Sequence, residues 1–254
     1  MNSLKKHMKI NENEHIEYIN NELKLIVSKA HTFGTDALLL ADFASPSKKA
    51  AACDFGTGCG IIPFYWVREG LCKEIYTAEI QQNGYDQLCR SLELNSLDKI
   101  KPFNCDLREL PKEFPKGQFD VVTMNPPYTK ANAGIESSEE SAKIARHGIT
   151  CSFDDVCTAA SKLLKFGGRL CMCIRPERLF ELTCAMQKVK IEPKRLRFVS
   201  QRDGLSPWLV LVEGKLGRNP GVIVEPELHI EGADGKESAE MLEIIGTYRK
   251  DGAG

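Results

Sequence analysis

Short apolar runs alternate with longer amphipathic stretches along most of this chain of 254 residues. The apolar runs have the length of buried strands, and the stretches between them place apolar residues on one side of a helix. Strands that are joined by such helices run parallel, so we expect an α/β fold whose sheet is covered by helices on both faces. The pair Gly167-Gly168 is expected to end the predicted helix 154–164. The predicted strands are 50–53, 74–79, 100–104, 119–124, 169–174, 196–199 and 208–212, and the predicted helices are 61–68, 81–94, 154–164 and 176–188.

The segment before the first of these strands has a different pattern. Two short apolar runs, at 15–19 and 23–27, predict a β-hairpin. Thr35 is the expected N-cap of a short apolar helix that ends before residue 45. A further short helix is expected near the C-terminus. We therefore expect a hairpin and helix extension over 1–45, an α/β domain over 46–230 and a C-terminal tail over 231–254.

The composition, with 42% hydrophobic and 27% charged residues, is typical of a globular protein. No window approaches the roughly 18 uncharged apolar residues of a membrane span, and no apolar run follows the basic residues near Met1. The ten cysteines include no Cys-x-x-Cys pair, which excludes zinc-ribbon and thioredoxin-like sites. We therefore expect buried thiols in a reducing cytosol, with no membrane partner and no bound metal.

A glycine-rich turn follows the first strand of the predicted sheet. Asp54 is followed by Gly56, Gly58 and Gly60, and a helix is predicted directly after them. Such glycines let the backbone approach a ligand closely, and the helix N-terminus offers unpaired amide groups. The spacing is neither that of dinucleotide folds nor that of phosphate loops, so it favours a nucleoside without a pyrophosphate over NAD or ATP. A glycine-rich turn by itself is equally compatible with a purely structural role.

Carboxylates follow the next two strands at the same edge of the sheet. Glu79 ends the second strand, where it can accept hydrogen bonds from both ribose hydroxyls of an adenosine. Asp106 follows the third strand, where it can accept a hydrogen bond from an adenine amino group. Each residue alone is compatible with a solvated strand end. Their occurrence at successive strand ends favours a nucleoside site.

The fourth strand ends in the sequence Asn125-Pro126-Pro127-Tyr128, which is the most specific feature of the chain. The prolines end the strand and hold the preceding asparagine extended. The carboxamide oxygen of Asn125 and the carbonyl oxygen of Pro126 can then accept hydrogen bonds from one NH2 group, and Tyr128 offers a flat face for stacking. Two such acceptors would localise the lone pair of an aromatic amine. The alternative is a rigid loop with a core tyrosine.

Together, these features resemble class I S-adenosylmethionine-dependent amino-methyltransferases. A narrower resemblance, to the bacterial tRNA1(Val) adenine-N6-methyltransferase family, extends from about residue 15 to about residue 230 and rests on the segments 33–43, 54–63, 79–81, 175–179 and 192–199. It implies a Rossmann-like, mostly parallel sheet of seven strands with the last strand antiparallel, S-adenosylmethionine as cofactor and an adenine in a tRNA anticodon loop as acceptor. One departure is His147-Gly148, where the family has a His-Glu pair.

The resemblance also implies roles for individual residues. Thr35 and Asp36 fall in the segment that closes over the methionine end of the cofactor. The expected cofactor-binding residues are Thr35, Asp36, Asp54, Gly56, Gly58, Gly60, Glu79 and Asp106. The expected catalytic residues are Asn125, Pro126, Pro127 and Tyr128.

Charge is unevenly distributed along the chain. The net charge of −1, from 34 basic and 35 acidic residues, argues by itself against nucleic-acid binding. The segment 186–218 nevertheless carries eight basic and three acidic residues, and residues 1–9 carry three lysines and no acidic residue. Basic segments of this kind attract phosphates, so Lys194, Arg195 and Arg197 are the candidate tRNA-binding residues. The alternative is a solvated charged surface without a partner.

Other functions share the chemistry of a planar NH2 group. Methyltransferases that act on a release-factor glutamine, on DNA adenine or on rRNA bases use the same kind of segment. A catalytically silent RNA-binding module with the same fold is a further alternative, against which the intact Asn-Pro-Pro-Tyr segment speaks. The sequence indicates no oligomeric state.

Overall fold

The computed structural model describes residues 10–127 and 151–248. Tyr128, the His147-Gly148 pair and the lysines of segment 1–9 lie outside the described residues. In chain order, the described strands and helices are β1 (Glu14–Tyr18), β2 (Lys24–Ser28), α1 (Thr35–Ala44), β3 (Ala51–Phe55), α2 (Ile61–Arg68), β4 (Glu74–Glu79), α3 (Gln82–Asn95), β5 (Ile100–Asn104), β6 (Phe119–Met124), α4 (Phe153–Leu163), β7 (Leu164–Ile174), α5 (Leu179–Lys188), β8 (Ile191–Ser200), β9 (Leu209–Leu216), β10 (Ile223–Val224), β11 (Leu228–His229) and α6 (Ala239–Ile245).

Nine of the described strands form one sheet, in the order β10-β8-β9-β7-β6-β3-β4-β5, with β11 also paired to β8. Strands β3 to β7 pair in parallel, and β9 is antiparallel to both of its neighbours, β7 and β8. This confirms the expected Rossmann-like sheet with an antiparallel last strand. The short strands β10 and β11 extend the seven expected strands along β8. The chain continues from β3 to β4 on one side of the sheet and from β6 to β7 on the other side. This reversal of strand order between β3 and β6 opens a crevice at their carboxyl ends.

Helices cover both faces of this sheet, as expected. On one face, α1, α2 and α3 bury side chains such as Leu40, Trp66 and Leu88. On the other face, α4 and α5 bury side chains such as Val156 and Met186. Successive residues of each strand point to opposite faces, so the short apolar strands contribute to both cores. The two packed layers hold the carboxyl ends of the strands in place.

The two terminal segments pack on the same core. The β1–β2 hairpin forms as expected and lies against α3, where Arg90 binds Glu14 through two contacts of 2.5 and 2.6 Å. Near the other end, Met241 and Ile244 of α6 are buried in the cluster that contains α1 and α2. Arg68 donates to the last carbonyl groups of α6. Residues from all three predicted parts of the chain thus share one hydrophobic cluster.

Two local expectations are wrong. Thr35 is the first helical residue rather than the N-cap, a position that Gly34 takes without a side-chain hydrogen bond. The pair Gly167-Gly168 does not end a helix, because α4 already ends at Leu163 and the two glycines lie inside β7. A Cβ atom at Gly168 would lie 2.8 Å from the Phe119 carbonyl oxygen, so glycine permits the close, irregular pairing of β7 with β6 there.

The ten cysteines are free thiols, and six of them are buried. Burial raises the pKa of several of these thiols, including Cys171, to about 12. Among the helices of residues 10–127 and 151–248, none has the length and apolar character needed to cross a membrane. Within the same residues, no cluster of side chains has the composition of a metal site.

Candidate active site

Two cavities meet at the carboxyl ends of the central strands. The first, here called the Glu79 lobe, has a volume of about 270 Å³ and is lined by Glu79 at the end of β4, by Asp106 after β5 and by their chain neighbours. The second, here called the Asp54 lobe, has a volume of about 470 Å³ and lies between the start of α1 and the glycine turn after β3. Both lobes are lined by Thr32, Gly56, Gly58, Asn125 and Pro127. The predicted glycine turn and the predicted reactive segment therefore stand where the lobes join.

The glycine turn connects β3 to α2 and is held by Glu79. The backbone amide of Gly58 donates to Glu79 Oε2 at 2.8 Å, and the amide of Gln81 donates to Oε1 at 2.8 Å. The Glu79 side chain is 3% exposed, yet each carboxylate oxygen has a second lone pair for a ligand that enters the lobe. Glu79 thus lies where the sequence predicted it, and it also organises the turn.

Gly60 lies at the sharp entry from the glycine turn into α2. Its φ of +93° lies in the left-handed region, and a Cβ atom there would lie 2.5 Å from Leu88 Cδ1. Gly60 lines neither lobe, and it allows the close approach of the start of α2 to Leu88 on α3.

Asp54 is buried at the end of β3 and lines the Asp54 lobe. Its Oδ1 accepts a hydrogen bond from the Thr123 hydroxyl at 2.7 Å. Its Oδ2 and the Thr57 hydroxyl have no partner with hydrogen-bond geometry among the described residues. Burial raises the pKa of Asp54 to about 7. A buried acceptor without a partner is costly, so this lobe is suited to a ligand that brings a hydrogen-bond donor or a positive charge.

Asp106 lies in the Glu79 lobe but is already engaged. Its carboxylate accepts hydrogen bonds from Nε and Nη2 of Arg108 and from the Arg108 backbone amide. The Arg108 hydrogen bonds hold the pKa of Asp106 below its usual range. Arg108 also lines the lobe, and the sequence did not indicate it. A ligand at this end meets the charge-balanced pair of Asp106 and Arg108 rather than a lone carboxylate.

Asn125 follows β6 directly and lines both lobes. Its Nδ2 donates to Asp36 Oδ2 at 2.9 Å, and its Oδ1 accepts from the Cys173 thiol with an Sγ–Oδ1 distance of 3.1 Å. Pro126 is buried and Pro127 is exposed at the mouth of the cleft. The carboxamide is therefore held at the junction of the lobes by two partners that are distant in the sequence.

The two residues expected over the methionine end of a cofactor have different surroundings. Asp36 lines the Asp54 lobe, with its carboxylate bound to Asn125. Thr35 is exposed and lines neither lobe. Cys173 is fully buried on β7, and no sequence motif marks it as a site residue. The pairing of Met124 with Met172 places Cys173 next to Asn125, so the register of two neighbouring strands could have found it.

The candidate RNA-binding residues lie on β8, separated from β6 by β7 and β9. Arg195 contacts Glu213 at 3.0 Å and Glu225 at 3.1 Å, and its guanidinium stacks on the Phe43 ring at 3.9 Å from the centroid. Arg197 binds both carboxylate oxygens of Glu240. Lys194 donates to the carbonyl of Asn219. These contacts neutralise both arginines inside the fold, and the role of the three residues in RNA binding stays a prediction.

Known proteins with similar sequences support the resemblance inferred from the motifs. A curated relative from Histophilus somni, a tRNA1(Val) (adenine(37)-N6)-methyltransferase, is 31% identical over 140 residues, which are 54% of this chain and 58% of the relative. The chain thus spans little more than half the length of that relative. A protein of the same name from Bacteroides thetaiotaomicron is 26% identical over 217 residues, which are 85% of this chain and 89% of that protein.

The fold also resembles that of solved structures. The crystal structure of a predicted O-methyltransferase from Agrobacterium tumefaciens superimposes with a TM-score of 0.67 at 21% sequence identity, over 84% of this chain and 96% of that chain. The model of the Eco57I restriction-modification methylase family matches residues 22–199, which include β3 to β7 and every residue that lines the junction of the two lobes. The chain therefore belongs to the Eco57I restriction-modification methylase family.

Proposed function

We propose that the protein is an S-adenosylmethionine-dependent methyltransferase that acts on the exocyclic N6 of an adenine in tRNA, in the anticodon loop of tRNA1(Val). Membership of a methylase family and the names of the curated relatives support this activity. The observation that carries the proposal is the position of the Asn125 carboxamide, which stands beside Pro126 where the two lobes meet. The ten free cysteines suit a reducing compartment, which supports a cytosolic enzyme.

The polar groups that line the cleft fit S-adenosylmethionine. In the Glu79 lobe, the free lone pairs of Glu79 can accept from the ribose hydroxyls, and the Asp106–Arg108 pair stands at the adenine end. In the Asp54 lobe, the unpartnered Oδ2 of Asp54 can accept from the cationic amino group of the methionine part. The cofactor, when bound, supplies a methyl group on a positively charged sulfur.

The exocyclic amine of adenine is a weak nucleophile because its lone pair is delocalised into the purine ring. Asn125 Oδ1 and the Pro126 carbonyl oxygen can accept the two hydrogens of this amine, which localises the lone pair and directs it toward the junction of the lobes. Orientation supplies most of the expected rate, since the amine proton can leave after the methyl group has been transferred. No strong base is required in this scheme.

The target base has to leave its stack to reach Asn125. Pro127 is exposed at the mouth of the cleft and precedes Tyr128 in the chain. We propose that Tyr128 stacks on the extruded adenine, since aromatic side chains stabilise unstacked bases in RNA complexes.

Three separate incubations test the proposal. Each contains the wild-type protein and methyl-labelled S-adenosylmethionine, together with tRNA, duplex DNA or a release factor. The expected result is label in tRNA and none in the other two substrates. The Asn125→Ala variant is the matched control and is expected to label tRNA at least 100-fold more slowly.

Each other outcome contradicts the proposal in a distinct way. Label in DNA alone would assign the protein to adenine methylation of DNA, and label in the release factor would assign it to glutamine methylation. Binding of tRNA without any label, at saturating cofactor, would indicate an RNA-binding module that has lost the reaction.

A further inference from the structure

We propose that Asp36 is a positioning residue for the reaction, which holds the Asn125 carboxamide in the orientation that presents its oxygen to the acceptor amine. The proposal rests on the proposed methyl transfer to an adenine amine. Its evidence is the 2.9 Å hydrogen bond from Asn125 Nδ2 to Asp36 Oδ2, which joins residues 89 positions apart in the chain.

The two contacts of the carboxamide specify one of its two possible orientations. A carboxamide has an oxygen and an NH2 group of similar shape, and rotation by half a turn exchanges them. The carboxylate of Asp36 can only accept, so it requires the NH2 group of Asn125 on its side. The thiol of Cys173 donates to Oδ1 from the opposite side. The flipped carboxamide would bring its oxygen against the Asp36 carboxylate, which is repulsive.

The carboxylate also improves the oxygen of Asn125 as an acceptor. A hydrogen bond from an amide N–H to an anion is charge-assisted and draws electron density toward the amide oxygen. The Cys173 thiol uses one lone pair of that oxygen, and the second lone pair remains for the substrate amine. Loss of the Asp36 charge therefore weakens the acceptor as well as its orientation.

The location of Asp36 is set by the helix that carries it. Asp36 is the second residue of α1, where the partial positive charge of the helix N-terminus stabilises a carboxylate. Gly34 at the N-cap leaves room for this side chain, because a Cβ atom there would lie 2.6 Å from Asp36 Oδ1. The N-terminal helix is thereby connected to the reactive end of β6, across the Asp54 lobe.

The variants Asp36→Ala and Asp36→Asn test the proposal. Asp36→Ala is expected to lower kcat by about 100-fold, the scale of a catalytic group misplaced by about 1 Å, and kcat is measured at saturating S-adenosylmethionine so that a change in the cofactor Kd does not contribute. Asp36→Asn keeps an accepting oxygen without the charge and is expected to retain an intermediate kcat.

A matched control and a spectroscopic readout separate positioning from a general effect on folding. Asp154 is the second residue of α4, pairs with Lys188 at the surface and lines neither lobe, so Asp154→Ala removes an equivalent helix charge and is expected to leave kcat unchanged. In protein labelled with 15N-asparagine, the side-chain NH2 signals of Asn125, assigned by their loss in Asn125→Ala, are expected to shift in Asp36→Ala and to stay in place in Asp154→Ala.

Two results would overturn the proposal. One is an unchanged kcat in Asp36→Ala together with a weaker Kd for the cofactor, which would make Asp36 a cofactor ligand only. The other is an unmoved Asn125 NH2 signal in Asp36→Ala, which would show that the contact does not hold the carboxamide. The NMR measurement needs no substrate, so failure of the proposed tRNA reaction in the wild-type protein is a separate result.

Discussion

At the scale of single residues, the reactive end of the cleft depends on contacts between distant parts of the chain. Two prolines after an apolar run were enough to predict that Asn125 ends a strand and faces the ligand cleft. Its partners Asp36 and Cys173 were not predictable in the same way, since neither belongs to a local pattern with Asn125. The engagement of Asp106 by Arg108, two residues later, was missed for a different reason, because it depends on the conformation of the turn after β5.

The buried carboxyl of Asp54 predicts a pH-dependent stability. Its pKa is about 7 in the folded protein and about 3.9 in an unfolded chain, so the folded state holds an extra proton between these values. The free energy of unfolding should therefore fall as the pH rises through this window, by up to about 4 kcal/mol in total. Urea unfolding between pH 5 and 8 measures the free energy of unfolding of the wild-type protein and of Asp54→Asn, and so tests this pH dependence.

The Asp54→Asn variant carries no titrating group at this position, so its stability should fall less steeply between pH 5 and 8. Asp154→Asn, which changes a surface carboxylate, is the control for a general change in charge. Equal pH dependence in the wild-type protein and Asp54→Asn would contradict the assignment of the high pKa to Asp54.

At the scale of elements, periodicity and turn residues predicted most of the sheet. Strands β4, β5 and β6 and helix α2 begin and end at the predicted residues, since each apolar run is bounded by glycine, proline or polar residues. The start of β7 was missed because the two glycines were taken as a helix end, whereas they lie inside β7 and Gly168 permits its close pairing with β6. A single sequence does not distinguish a glycine that ends a helix from a glycine that lies inside a strand.

The turn into α2 gives a prediction at this scale. Gly60→Ala combines a left-handed backbone with a Cβ atom 2.5 Å from Leu88, so we expect it to lower the free energy of unfolding by about 2 to 5 kcal/mol. Gly70→Ala is the matched control, because Gly70 also has a positive φ but no atom within 4 Å of the added Cβ. It should cost only about 1 to 2 kcal/mol. Equal losses in chemical denaturation would show that the close approach of Gly60 to Leu88 does not contribute to the loss.

At the scale of the whole molecule, the basic excess of segment 186–218 is not all available to bind phosphates. The basic excess of segment 186–218 includes Arg195 and Arg197, which pair with glutamates from β9 and from the chain that follows it. A count along the sequence cannot show these pairs, because the partners are brought together by β8, β9 and α6 only after folding. Glu225 and Glu240, which lie outside segment 186–218, thus balance part of its basic excess in the folded protein.

Lys194 and Arg195 are therefore expected to differ when replaced. Arg195→Ala should lower the free energy of unfolding by about 1 to 3 kcal/mol, because it removes a hydrogen-bonded partner of the buried Glu213. Lys194→Ala should leave stability unchanged and, if β8 meets RNA, weaken tRNA binding and reduce its dependence on salt. Thermal unfolding and a salt titration of tRNA affinity distinguish the two. An unchanged stability of Arg195→Ala would contradict a structural role for that residue, and an unchanged tRNA affinity of Lys194→Ala would remove β8 from the RNA interface.

The central claim is that the cleft of Asn125, Glu79 and Asp54 transfers a methyl group to an adenine amine in tRNA. The most direct measurement is mass spectrometry of the nucleosides released from tRNA after reaction with the wild-type protein and with Asn125→Ala. We predict N6-methyladenosine with the wild-type protein, and at least 100-fold slower formation with Asn125→Ala at an unchanged cofactor Kd. A methyl group on any other nucleoside, or near-normal formation of N6-methyladenosine by Asn125→Ala, would contradict the account.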